Sequence, residues 1–354
     1  MALVGTISAS NDFGFKNRII NGGMQIDQRN AGASVTVGAA GGYYPVDRFY
    51  GQASAASKFT LQRSTDVPTG QGFLNSIVAT SSSAYSLGAG DYFIIRQAIE
   101  GLYCFDLLFG NSNAKTVTLS FWVKSSLTGT FSGHLTNATS ARWYPFTYTI
   151  SSANTWEQKS ITIPGDTTGT WATDTSVGIF VGWSMGTGAS NETTANAWTA
   201  STGIGTSGAV DLVATSGATF YITGVQFEKS STATPFDYRP YTIEQLLCQR
   251  YYHFLGGDTA YQNIVTGTYY GAADCVGPFR YPVEMRISPS ISKTGTWTAL
   301  GGAGAAGQTV SADQKGTKNV QLGFTGGTSG VSGQSTTIRA SNDTAFRITF
   351  DSEY

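Results

Sequence analysis

This sequence is short of charge. Asp, Glu, Lys and Arg make up 12% of its 354 residues, about half the usual ~25%. Lys and Arg nowhere cluster, and the formal net charge is −1. Without a basic footprint the chain cannot neutralise phosphates, so no nucleic-acid partner is expected. Long apolar runs are missing too. No stretch approaches the ~20 residues of a membrane span, and no membrane insertion is expected. The opening MALVGTISASNDFG has neither the basic nor the apolar region of a secretory signal. The three cysteines, Cys104, Cys248 and Cys275, are odd in number, widely spaced and form no CxxC. They read as buried thiols made in a reducing cytoplasm, neither a disulfide frame nor a metal site.

The usual catalytic inventory is also thin. There are two histidines, His134 and His253, without metal-ligand spacing, and no GxSxG, HExxH, P-loop or GxGxxG in its strand–helix setting. No metal and no cofactor is expected. Asp166 and Asp174 flank Trp171, and Glu192 precedes Trp198, but a turn such as PGDTTG needs its Asp anyway. Solvated loop carboxylates and turn-formers account for all three, and the chain reads as no enzyme.

Apolar and small residues fill the rest. Hydrophobic residues are 40%, aromatics 13%, and Gly occurs 44 times. TVTLSFWVK is the clearest strand, with Val117, Leu119, Phe121 and Val123 on one face. FTYTI repeats the period with Phe146, Tyr148 and Ile150, and VGIFVGW with Val177, Ile179, Val181 and Trp183. KFTLQRS, SITIP and FSGHLTN are shorter candidates. Gly-rich turns between many short strands predict an all-β fold, a jelly-roll β-sandwich.

Near residue 220 the text changes. Val225 and Phe227 alternate with Gln226 and Glu228, but Ile222 has the opposite parity, so Gly224 is expected to hold a register-resetting bulge. SSTATP then leaves the sandwich, because Pro235 lacks a donor. YTIEQLLCQRYYHF follows as a short helix: Thr242 and Gln245 fit a capping box, and Ile243, Leu246, Leu247 and Tyr251 form an apolar stripe. His253 falls near the helix end. IVTGTYY, FRYPVEMRI and FRITF return to strand-like text around the Gly/Ala-rich ALGGAGAAGQTVSADQKG. The predicted organisation is an arm over 1–20, a jelly roll over 21–240, a helical joint over 241–257 and a smaller β-domain over 258–354. Asp47, Arg48 and Glu100 read as buried structural charges.

The segments NRIINGGMQIDQRNAG, YPVDRFYG, RQAIEGL, TLSFWVKSSLTGTFSGHL, NTWEQKSITIPGDTTGTW and FYITGVQFEKSSTATPFDYRPYTIEQLLCQRYYHF, with FRYPVEMRISPSIS and FRITFDSEY downstream, together resemble a family of tailed-bacteriophage and prophage virion-surface proteins. Members are of tail-fibre or head-fibre type with a carbohydrate-binding-module-like jelly roll. The resemblance implies a homotrimer or other oligomer, contact with other virion proteins and with bacterial surface polysaccharide, and a place on the tail or capsid exterior. A structural calcium often held by an Asp in the last strand of sugar-binding jelly rolls is put in doubt by Gly224.

Sugar recognition needs only C–H stacking on aromatic faces and polar partners for hydroxyls. Arg142, Trp143 and Tyr144 in ARWYPF, with Trp171 and Trp198 among Gly, Ser, Thr and Asn, are the candidate carbohydrate-binding residues. The competing expectation is that each tryptophan caps the sandwich or fills an interface. A tail fibre contacting host glycans is the expected role; a capsid decoration or head fibre with a structural role, and a polysaccharide depolymerase, are the alternatives.

Overall fold

The computed structural model describes residues 16–39, 41–300, 309–325 and 330–354, and the chain divides into two units between Tyr241 and Thr242. In the first unit the strands are β1 (Val35–Thr36), β2 (Tyr43–Val46), β3 (Phe49–Ala53), β4 (Phe59–Ser64), β5 (Ser76–Ser81) and β6 (Tyr92–Glu100). They continue as β7 (Val117–Ser125), β8 (Gly129–Thr136), β9 (Trp143–Ile150), β10 (Glu157–Ile163), β11 (Val177–Thr187) and β12 (Thr219–Glu228). Two six-stranded sheets result, ordered β1-β4-β5-β12-β7-β10 and β2-β3-β6-β11-β8-β9. Every pairing between these strands is antiparallel. This is the jelly-roll β-sandwich expected from the strand pattern.

Alternation decides which residues meet between the sheets. Val117, Leu119, Phe121 and Val123 on β7 face Phe146, Tyr148 and Ile150 on β9 and Ile179, Val181 and Trp183 on β11 in one buried cluster. Burying each such large side chain is worth about 1.5–3 kcal/mol. Aromatic edges order this core: Phe121 meets Tyr148 at 5.1 Å and Trp183 at 5.5 Å. The other parity of the second sheet faces outward, where Ile94, Trp143 and Ile204 form a separate small cluster.

The bulge in β12 stands where the parity break placed it. The β7 ladder skips from Thr223 to Gln226, and Gly224 adopts φ +60, a left-handed conformation that glycine enters without penalty. The freed backbone is used by the N-terminal segment. Val225 N–H donates to the Gly22 carbonyl at 3.0 Å, and Asn17 Nδ2 donates to the Val225 carbonyl at 3.0 Å. Residues 17–22 therefore pack against the sandwich, while residues 1–15 of the expected arm lie outside the described residues. Arg48 and Glu100 are buried as expected, and Asp47 is buried while accepting from Gln28 N–H at 3.1 Å.

The second unit opens with α1 (Tyr241–Gln249). The helix begins one residue before the expected capping Thr242, which therefore lies inside its first turn. It also stops earlier than expected: Tyr252–Gly256 forms β13, so His253 sits on a strand. Aromatic and β-branched text at a helix end fits either element, and pairing with the C-terminal strand decided it. The remaining strands are β14 (Asn263–Tyr269), β15 (Asp274–Arg280), β16 (Ser290–Thr294), β17 (Trp297–Ala299), β18 (Thr309–Asp313), β19 (Asn319–Thr325), β20 (Ser335–Ala340) and β21 (Arg347–Asp351). They form a three-stranded sheet, β13-β21-β16, and a six-stranded sheet, β17-β20-β14-β15-β19-β18. FRYPVEMRI keeps only its first residues in a strand, because β15 ends at Arg280 just before Tyr281 and Pro282. Part of the Gly/Ala-rich stretch, 301–308, lies outside the described residues. Trp297, Leu322, Phe324, Ile338 and Phe350 are wholly buried in this unit's own core.

Candidate functional site

Loops at one end of the sandwich bring together four of the five candidate residues. The β8–β9 hairpin is closed by Asn137, whose Oδ1 accepts from the N–H groups of Ala141 and Arg142 at 2.9 and 3.1 Å. Arg142 then reaches Asp166 in the 164–176 loop, Nε to Oδ2 at 2.6 Å and Nη2 to Oδ1 at 2.9 Å. Asp166 is 2% exposed and also accepts from Thr168 N–H at 3.1 Å, so the loop is pinned at its middle. The Asp166 hydrogen bond raises the Arg142 pKa above its usual value, against the smaller opposing effect of burial on the guanidinium.

That pinned loop carries Trp171. It meets Trp198 edge-to-face at 5.4 Å, and both rings pack on Phe109, at 5.0 and 5.7 Å. Tyr144, only 3% exposed, supports Trp198 from below at 5.2 Å. Both indole N–H groups are already committed: Trp171 Nε1 donates to the Thr168 carbonyl at 3.0 Å and Trp198 Nε1 to the Pro164 carbonyl at 2.7 Å. Both tryptophans are half-buried, so fixed indole surface remains open to solvent. The cluster can offer aromatic surface for stacking, with a charged pair at its side.

Trp143 goes elsewhere. It is 4% exposed, lies over His134 at 5.3 Å on the outer face of the second sheet, and donates its Nε1 to the Ser140 carbonyl at 2.7 Å. Alternation made the split: consecutive residues of β9 face opposite ways, so Trp143 and Tyr144 could not share a site. The three candidate carboxylates are each tied up locally. Asp166 holds Arg142, Asp174 accepts from Ser176 N–H at 2.9 Å, and Glu192 accepts from Thr187 Oγ1 at 3.3 Å. Glu192 lines a cavity of about 480 Å³ with Tyr85, Leu87, Thr187 and Asp211. Burial, with a smaller contribution from the Glu192 charge, pushes the Asp211 carboxyl above its usual pKa.

Beyond Trp143 and His134, sequence reading picked out no cluster on the outer faces of the two sheets. On the first, Lys124 lies over Tyr221 at 4.3 Å and Trp156 at 5.5 Å, and pairs with Asp66. On the second, Tyr44 meets Tyr50 at 5.3 Å, and the Arg96 guanidinium lies 5.2 Å from Tyr50 and 4.2 Å from Phe180. These residues come from β2, β3, β6 and β11, which nothing local in the sequence places side by side. Among the described residues no group of three or more His, Cys, Asp or Glu could hold a metal ion. All three cysteines are buried and stand outside any disulfide, and burial pushes the Cys104 thiol up to about 12.

No protein-family model and no curated protein matches the chain. Solved structures similar to it include the enzymatically active domain of bacteriophage CBA120 tailspike protein 4, at 14% identity and TM-score 0.31 over 60% of this chain. The match spans 21% of that tailspike chain. A family 11 carbohydrate-binding module from Clostridium thermocellum is similar at 10% identity and TM-score 0.29, over 53% of this chain and 91% of its own. A putative sugar-binding protein from Bacteroides thetaiotaomicron is similar at 10% identity and TM-score 0.32, over 61% of this chain and 100% of its own.

Proposed function

We propose that this chain is a phage virion-surface protein that binds bacterial surface polysaccharide without cleaving it. The observation that carries the binding reading is the Trp171–Trp198 pair, half-exposed and held edge-to-face at 5.4 Å with both indole N–H groups spent on backbone carbonyls. Rings fixed in this way lose little freedom when a sugar stacks on them, and the cost of ordering is one of the main charges against affinity. The virion setting rests on the family resemblance of the sequence. So does assembly as a homotrimer, in which several weak sites act together, and attachment to other virion proteins.

The test has two arms. Full-length protein is titrated with polysaccharide purified from candidate host bacteria while intrinsic tryptophan fluorescence is followed, with Trp171→Ala and Trp198→Ala alongside. Binding that both substitutions weaken at least tenfold supports the reading; binding that survives both, or release of reducing ends, overturns it. Antibody–gold on intact particles locates the protein. Label at the tail supports a fibre that contacts the host, and label over the head supports a capsid fibre or decoration.

A further inference from the structure

We propose that the cavity lined by Asp211 and Glu192 is a second binding site and that it takes a sugar carrying a free ammonium group, such as a de-N-acetylated hexosamine unit of a polysaccharide. The proposal rests on the glycan-binding reading but not on the Trp171–Trp198 end of the sandwich. Trp171 precedes the first residue of β11, and the cavity lies at its last, Thr187, roughly 30 Å along the strand at the usual rise.

Three segments build the cavity, and backbone hydrogen bonds lace them together. Residues 84–87 come from the β5–β6 connection, 187–192 from the end of β11 onward, and 211–214 from the approach to β12. Tyr85 N–H donates to the Val213 carbonyl at 2.9 Å, Ser190 N–H to the Ala89 carbonyl at 2.8 Å, and Gly188 N–H to the Asp91 carbonyl at 2.8 Å. Gly188 lets two of the connections meet: a Cβ there would stand 2.0 Å from the Gly88 carbonyl oxygen. The walls are therefore fixed before any ligand arrives. The volume, about 480 Å³, lies within the ~300–1,000 Å³ of small-molecule sites.

Thr187 clasps both carboxylates. Its N–H donates to Asp211 Oδ1 at 3.1 Å and its hydroxyl to Glu192 Oε1 at 3.3 Å. Among the described residues the two carboxylates have no other hydrogen bond and form no ion pair, so one oxygen of each stays open. Both residues are half-buried.

Other carboxylates of the same unit are answered by cations. Asp66 faces Lys124, Asp106 faces Arg18 and Lys229, and Asp166 faces Arg142. Lys58, beside the Tyr85 wall, lies over the Tyr85 ring at 4.5 Å instead. Burial, and more weakly the Glu192 charge, pushes the Asp211 carboxyl above its usual pKa. Two like charges are thus held in one cavity at a cost that a cationic ligand would remove.

The chemistry of the ligand follows. An ammonium brings one positive charge and three donors, enough to answer both open oxygens. A calcium ion needs roughly six to eight oxygen ligands, and among the described residues no group of three or more His, Cys, Asp or Glu could hold a metal. Leu87, Ala189 and Ala214 give the cavity aliphatic walls that suit the C–H surface of a sugar ring. A bare ammonium would leave those walls unused, and a neutral sugar would leave the charges unanswered.

The test titrates full-length protein by calorimetry at pH 6 with a β-1,4-linked glucosamine trisaccharide, its N-acetylated counterpart, ethylamine and calcium chloride. The glucosamine trisaccharide is expected to bind roughly tenfold more tightly than each comparison ligand, the scale of hydrogen bonds to a charged group, and to weaken in 0.5 M NaCl. Asp211→Asn and Glu192→Gln keep an acceptor for Thr187 but lose the charge, and each is expected to lose about tenfold in affinity. Near-UV circular dichroism checks both folds, and Glu192→Gln carries the test where Asp211→Asn misfolds. Trp171→Ala is expected to bind the trisaccharide as the parent does. Equal binding of the N-acetylated trisaccharide, of ethylamine or of calcium, undiminished binding by both carboxylate variants, or no binding of the glucosamine trisaccharide overturns the proposal. Loss of binding in Trp171→Ala with retention in both carboxylate variants also overturns it, while leaving glycan binding at the tryptophans intact. Binding that needs the carboxylates and survives Trp171→Ala supports it, even where host polysaccharide fails to engage the tryptophans.

Discussion

Arg142 and Asp166 are joined by two parallel hydrogen bonds, 2.6 and 2.9 Å long, that tie the β8–β9 hairpin to the loop carrying Trp171. The aliphatic part of Arg142 lies against Gly169, where a Cβ would stand 2.5 Å from its Cγ. Positive φ at Gly169 and the absence of a side chain let the loop close on the arginine. The ion pair thus sets where the indole stands.

Breaking the pair is expected to loosen the site before it unfolds the sandwich. Asp166→Ala removes the acceptor of Arg142 and of Thr168 and should cost about 2 kcal/mol, the scale of hydrogen bonds to charged groups. Arg142 retains some access to water, which keeps the loss below that of a fully buried pair. Urea unfolding measures the stability. Glycan affinity measured on the same variant should fall although no ring has been removed; affinity equal to the parent's would show that the loop holds Trp171 without the pair.

The two tryptophans are expected to separate stability from binding. Trp198→Phe keeps an aromatic face on Phe109 and Tyr144 but gives up the donation to the Pro164 carbonyl. It should cost about 1 kcal/mol and retain most of the affinity for polysaccharide. Trp198→Ala removes the ring and its three ring contacts, with Phe109, Tyr144 and Trp171, and should lower affinity at least tenfold. Fluorescence titration of both variants beside their urea midpoints checks the split, and equal affinity for the two would assign Trp198 to packing alone.

How much of this could be read beforehand depended on range. Strands β7, β9 and β11 were legible because period-two alternation is local and each had one face to bury. Gly224 was legible because a parity break within six residues needs a bulge. The Trp171–Trp198–Phe109 cluster was only half legible: composition marked the tryptophans as loop residues, but Phe109 joins them across more than sixty positions. Trp143 could not be told from Tyr144 without knowing which face of β9 is the core. The cluster of Arg96 with Tyr50 and Phe180 was illegible, since its members are neighbours only through the register of β3, β6 and β11. His253 was misplaced because YYHF continues a helix or starts a strand equally well.

Acid should weaken the fold between about pH 6.5 and 4.5, before the carboxylates titrate. Burial holds His134 down to about 3 and His253 down to about 4 in the folded chain, against an ordinary value of 6.5. Below 6.5 the unfolded chain takes up protons that the folded chain refuses, so stability is full above 6.5 and falls as pH drops toward the folded values. Each histidine contributes roughly 2 kcal/mol of this loss by pH 4.5. Asp66, Asp91 and Asp106 are held below 3.8, so their contributions are lost further down. Asp211 is raised and works the other way, which reduces the slope. Urea midpoints at pH 7.5, 5.5 and 4.5 should fall in order. His253→Phe, beside Phe279 and Phe350, whose rings stand 5.8 and 6.1 Å from the imidazole, should flatten the trend. An unchanged slope in that variant would mean that His253 titrates normally in the folded chain.

Gly224 is where the last strand hands its backbone to the N-terminal segment, and substitution there should release that segment. At φ +60 an alanine costs about 1–2 kcal/mol in left-handed backbone strain alone. Its Cβ would also stand 2.5 Å from the ring of Phe73, and that ring is itself wedged against Phe236 at 5.1 Å and Tyr238 at 5.6 Å. The ring cannot yield without disturbing both, so Gly224→Ala should cost about 3 kcal/mol in total, within the range for overpacking combined with strain. The hydrogen bonds between Val225 and residues 17–22 should weaken first, because the bulge that frees the Val225 backbone is the part that moves. Hydrogen exchange at the Val225 and Arg18 amides, which donate to the Gly22 and Phe227 carbonyls, reads this directly. Faster exchange there with the β7 and β11 amides still protected is the expected pattern. Uniform acceleration across all strands would mean that the bulge is part of the cooperative core and that the N-terminal segment cannot detach by itself.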